Sequence, residues 1–83
     1  MENETQIKIR EIERKILRRE ALIKKFENHI RDLEVKFAAA KSAGDNKKEQ
    51  EIVLEINSEQ RKIRTFTLEI TVLKSKIFSL KEK

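Results

Sequence analysis

His29 is the chain's single imidazole, and Asp32 follows it three residues later, one helical turn away. An imidazole beside a carboxylate is the pairing a general base uses, but the base needs a nucleophile or a substrate proton within reach. No cysteine is present, and no serine is arranged around His29. The residue therefore reads as a solvent-facing or interfacial histidine, and no catalytic residue is expected. Metal chemistry lacks its ligands too, because zinc sites draw on sets of Cys and His, and no Glu-x-x-His motif is present to hold a metal between helices. With one glycine, Gly44, there is no phosphate-cradling loop. The expectation is no enzyme, no cofactor, no metal and no small-molecule substrate.

Charged residues offer a different chemistry. Arg10, Arg14 and Arg18 recur at i,i+4, a ladder of like charge that repels itself and favours an anionic neighbour. Glu51, Glu55 and Glu59 form the acidic counterpart later in the chain. The arginine ladder is a candidate contact for an anion or for nucleic acid, although the plain alternative is a solvated face.

The elements that must position these residues are legible from periodicity. The chain has 83 residues, 42% of them charged and 37% hydrophobic, with no proline, so it forms one small domain without a large enclosed core. Steps of three and four from Ile9 pass through Ile12, Ile16, Arg19, Ile23, Phe26, Ile30, Leu33, Phe37 and Ala40. A second series runs through Ile52, Ile56, Glu59, Ile63, Phe66, Ile70, Leu73, Ile77 and Leu80. Such a strict seven-residue repeat keeps one seam turned toward a partner helix. Carboxylates such as Glu11, Glu13, Glu20 and Glu34 fall outside that seam.

Between the series lies the only turn signal, Ser42-Ala43-Gly44-Asp45-Asn46. A helix-ending glycine there is followed by N-capping residues, with Asn46 and Glu49 spaced as a capping box and Asn3 with Gln6 as a weaker one. These signals predict a single domain over 1–83, with a helix over 4–42, a turn over 43–46 and a helix over 47–81. Five acid-to-base pairs at i,i+4 along the first helix (Glu4 to Lys8, Glu11 to Lys15, Glu20 to Lys24, Glu27 to Arg31 and Asp32 to Lys36) add weak support. Residues 65–72 alternate polar and apolar as a strand would, but the heptad continues through them and no second strand exists to pair with.

Folding the chain about Gly44 and Asp45 places residues whose numbers sum to 89 side by side, so Ile9 meets Leu80, Ile16 meets Leu73, and Phe37 meets Ile52. Every such layer pairs an a position with a d position. The fold class is thus all-α, an antiparallel coiled-coil hairpin. Hairpins of this size cover each seam side chain on one side only, which favours dimerisation into a four-helix bundle. Folding also brings the first 25 residues (net +3) beside the last 23 (net +5), leaving residues 26–60 at −3. The result is a dipolar rod roughly 60 Å long if each helix has about 40 residues.

Arg19 and Glu59 break the apolar seam and cannot meet within one hairpin. Either both side chains snorkel out of a half-open seam, or they meet between two hairpins overlapped head to tail. The second arrangement gives an antiparallel homodimer with Arg19, Glu59, Ile23, Phe26, Ile63 and Phe66 at its interface, and it sets the basic end of each chain along the acidic end of the other. The leading functional expectation is a structural or interaction module, self-associating and presenting helical surfaces to a protein partner as an adaptor, assembly factor or chaperone does.

RNA or DNA binding through the open end is the alternative. A net charge of +5 and a pI near 9.6 favour it, while no aromatic residue is interleaved with the arginines for base stacking. In architecture, without a shared motif, a basic hairpin dimer resembles small plasmid RNA-binding hairpins and the tRNA-binding hairpin arms of synthetases. Attachment to anionic membranes is a third reading, weakened by the absence of Trp and of a broad apolar face. No run approaches a membrane span and the polar start is unlike a signal peptide, so a cytoplasmic protein is expected.

Overall fold

Long unbranched side chains and the absence of proline let helices run without interruption, and both helices start on side-chain caps. The computed structural model describes residues 3–82. Helix α1 spans Glu4–Ser42 and helix α2 spans Asn46–Lys81. The Asn3 side chain accepts a hydrogen bond from the backbone N–H of Gln6 at 2.8 Å, satisfying one of the amides that a helix start leaves unpaired. For α2 the capping residue is Asp45 rather than Asn46: its carboxylate accepts from the Lys48 amide at 3.1 Å. Asn46 is the first residue inside the helix. The expected box with Glu49 is therefore displaced by one residue, because the turn closes sooner than the Asn46 spacing implied.

That closure is a Schellman arrangement. The Asp45 amide donates to the Ala40 carbonyl at 2.9 Å and the Gly44 amide to the Lys41 carbonyl at 3.1 Å, which satisfies carbonyls that α1 would otherwise leave open. Both bonds require Gly44 in the left-handed region, where it sits at φ 70°. The chain then reverses, and α2 packs back along α1 as an all-α hairpin measuring 63 × 18 × 12 Å.

Each apolar position of the two heptad series from Ile9 to Leu80 is buried or half-buried. Two clusters carry the most enclosed side chains. One, toward the open end, joins Ile16, Ile70 and Leu73 with Ile12, Ile23 and Ile77; the other, toward the turn, joins Leu33, Ala40 and Ile52 with Phe37 and Ile56. Ile12 with Ile77, Ile16 with Leu73 and Leu33 with Ile56 share clusters as the sum of 89 requires. Enclosure stays incomplete, since even Leu33 keeps 3% of its surface exposed.

Residues 65–72 are helical, and no strand occurs among the described residues. The threonines that gave this stretch its β-like pattern turn their hydroxyls back onto the helix: Thr67 Oγ1 donates to the Ile63 carbonyl at 2.7 Å and Thr71 Oγ1 to the Thr67 carbonyl at 3.1 Å. No helix among the described residues is long and apolar enough to cross a membrane.

Candidate functional site

The two apolar clusters are separated by a mixed layer, and it contains Glu59 and His29. Glu59, at a d position of α2, is 8% exposed. Snorkelling into water is thus not its solution. Its Oε1 accepts from Lys62 Nζ at 3.1 Å, one turn along α2, and its Oε2 lies 3.3 Å from Nδ1 of His29 on α1. The Lys62 hydrogen bond is the main cause holding the Glu59 carboxyl below its ordinary range; burial opposes it and His29 assists. Both partners stay about half exposed, so the buried carboxylate reaches water-facing nitrogens without drawing them into the core.

Arg19 is satisfied separately. Its Nε donates to Glu69 Oε2 at 3.0 Å across the helix pair, and one of its terminal guanidinium nitrogens donates to the Lys15 carbonyl at 3.1 Å. Neither polar seam residue faces the other within the chain. These contacts, rather than the five i,i+4 pairs of α1, are the ion pairs that form among the described residues. Long surface side chains lose rotamer freedom on pairing, whereas Arg19 and Glu59 are already confined by the seam.

Phe26 and Phe66 stack with ring centroids 5.9 Å apart, and Lys62 Nζ lies 5.4 Å from the Phe26 centroid. Layer counting set Phe26 beside Ile63 and Phe66 beside Ile23. The aromatic contact arises because both phenylalanines occupy d positions of adjacent layers and lean toward the same flank. Ile23, Phe26, Ile63 and Phe66 are all half-buried, as are Ile9, Ile12, Ile77 and Leu80 at the open end, so the seam is only partly covered outside the two clusters.

Arg10, Arg14 and Arg18 lie exposed on α1. Nearby, at the open end, a groove between the helices has Ile12, Val72 and Leu80 along its floor and Lys8, Lys15 and Lys76 on its rim. Toward the turn a corresponding groove is floored by Leu33, Ala40 and Ile52 and edged by Glu51 and Glu55 together with Lys36 and Lys48. Large apolar side chains also remain exposed off the seam, including Leu17 at 65%, Leu54 at 69%, Leu68 at 64%, Val72 at 55% and Phe78 at 64%. Comparison with protein-family models, with curated proteins and with solved structures returns no match.

Proposed function

We propose that the chain is a structural and interaction module: a helical hairpin that self-associates as an antiparallel dimer, a four-helix bundle, and presents its outer helical surfaces to a protein partner in the manner of an adaptor, assembly factor or chaperone. It carries out no catalysis in this reading. The observation that supports it is the half-covered middle of the seam, where Ile23, Phe26, Ile63 and Phe66 retain solvent-facing surface that a second hairpin would remove from water. A second support is charge: the open ends are basic and the turn ends acidic, so head-to-tail overlap brings opposite charge together. Arg19 and Glu59 sit in layers that coincide in that overlap. Since each already holds a partner in its own chain, their meeting across chains would extend those pairs rather than rescue an unpaired charge.

Analytical ultracentrifugation tests the reading. A dimer at micromolar concentration is expected, with Phe66→Ala shifting the chain toward monomer while leaving it helical. A wild-type chain that sediments as a monomer up to about 100 µM, far above the dissociation constants of specific interfaces, removes self-association from the reading.

One observation favours the alternative of RNA or DNA binding: the fold brings the two basic segments of the chain to a single end. Replacing Arg10, Arg14 and Arg18 with Gln would then weaken binding and reduce the salt dependence by about three phosphate contacts. Absence of any retention of RNA or DNA at about 50 mM salt, where such contacts are strongest, eliminates this alternative.

A further inference from the structure

Helix α2 has a second face, beside the seam, whose residues alternate in a way that suits one particular neighbour. Its g positions are Lys48, Glu55, Lys62, Glu69 and Lys76, so the charge changes sign at every heptad. The adjacent c positions are Glu51, Ser58, Thr65, Val72 and Ser79, mostly small or uncharged in a chain that is 42% charged. All five c positions are exposed, as are Glu55 and Lys76. Among the described residues Glu55 and Lys76 hold no ion pair. This face borders three grooves in succession, edged by Glu51 and Glu55 near the turn, by Thr65 and Glu69 in the middle, and by Lys76 and Ser79 at the open end.

We propose that this face is the dimer contact, and that its occupant is helix α2 of a second copy running antiparallel, with residues facing one another when their numbers sum to 131. In that register Glu55 meets Lys76 of the partner subunit, and Lys76 meets the partner subunit's Glu55. Lys62 and Glu69 face each other across the chains in the same way, giving four opposite-charge g pairs about a two-fold axis beside Thr65. Small side chains at Ser58 and Thr65 let the helices approach closely around that axis. The exposed Val72 and the apolar floors of the end grooves are then covered by the partner.

A parallel pairing of the same face would set Glu55 against Glu55 and Lys76 against Lys76. Shifting the antiparallel register by one heptad also brings like charges together. The chosen register lies two residues, about 3 Å, from the full head-to-tail overlap that matches the layers of Arg19 and Glu59, in which α2 residues whose numbers sum to 129 face one another. This proposal rests on the self-association reading and specifies the surface it uses.

The test is charge exchange, with cysteine placement as a second measurement. Glu55 and Lys76 lie 21 residues apart on one helix, about 31 Å, so they cannot compensate for each other within a chain. Glu55→Lys alone and Lys76→Glu alone should each weaken dimerisation by about tenfold, because two symmetric contacts turn repulsive. The double exchange should restore it. The chain has no cysteine, so Thr65→Cys introduces a unique thiol beside the axis that should form an intermolecular disulfide under mild oxidation. Ser79→Cys should not, since its copies lie about 40 Å apart in this register. Circular dichroism confirms that each variant is helical.

Single exchanges without effect on a persisting dimer, or a Ser79→Cys disulfide forming as readily as the Thr65→Cys one, overturn this face and register while leaving self-association standing. A wild-type chain that stays monomeric up to about 100 µM overturns both.

Discussion

Glu59 illustrates how a carboxylate survives at a seam position. Burial alone would raise its pKa and favour the neutral acid, yet the Lys62 ammonium and, secondarily, His29 reverse the direction. A depressed carboxyl pKa means that the folded chain holds the ionised form more readily than the unfolded chain. The stabilisation is therefore fully present above the ordinary carboxylate range and is lost as pH falls through the lower folded-state value. Glu59→Gln should lower the melting temperature at neutral pH, and the gap to wild type should narrow in acid. Melting curves followed by circular dichroism between about pH 7 and pH 3 bracket the carboxylate range and check this. A gap that does not change with pH would show that shape, not charge, holds the residue. Arg19 is less confined, and its link to Glu69 joins side chains that remain 28% and 43% exposed. Its coupling energy in a double-mutant cycle should be only about 0.5 kcal/mol.

Elements depend on their ends as much as on their seams. Gly44 is the hinge of the hairpin, and a Cβ added there meets nothing within 4 Å. The cost of Gly44→Ala is thus backbone strain at positive φ and not a clash, about 1–2 kcal/mol, and Gly44→Asn should cost distinctly less because Asn tolerates that region. Removing the cap with Asp45→Ala should cost about 1 kcal/mol, while the same change at Asn46 should cost little, since the capping oxygen belongs to Asp45. Thermal unfolding of the four variants against wild type measures all of this. Equal losses at Asp45 and Asn46 would contradict the observed cap.

For the whole molecule, two helices cannot enclose a core. Each seam side chain rests on one neighbouring helix, and the layers around Phe26 and Phe66 are only half covered. If a second hairpin completes the enclosure, stability is tied to concentration by mass action. The melting temperature should then rise as the protein is concentrated from about 1 to about 100 µM, each tenfold step adding about 1.4 kcal/mol of apparent stability to the dimer. A melting temperature independent of concentration identifies a hairpin that is stable alone. Leu54, Leu68 and Phe78 are exposed for another reason: they fall at f and b positions of α2, off the seam.

Much of this architecture follows from local pattern. A seven-residue repeat is a property of consecutive residues, so the apolar seam, the turn at Gly44 and the pairing of Ile16 with Leu73 or Leu33 with Ile56 could be read without coordinates. Threonine-rich residues 65–72 could be assigned to helix on the same ground, although the bonding of the Thr67 and Thr71 hydroxyls back onto the helix could not. The polar contacts belong to another class. Arg19 turns to Glu69, and Glu59 is reached by His29 and Lys62, through the flexing of long side chains over several ångströms. Seam layers specify the height of a residue along the hairpin but not the flank to which its side chain leans. Phe26 and Phe66 meet for the same reason, as neighbours on one flank in successive layers. Periodicity determines which residues point inward; only the tertiary structure decides which of them touch, because that choice rests on side-chain reach and mutual exclusion across the helix pair.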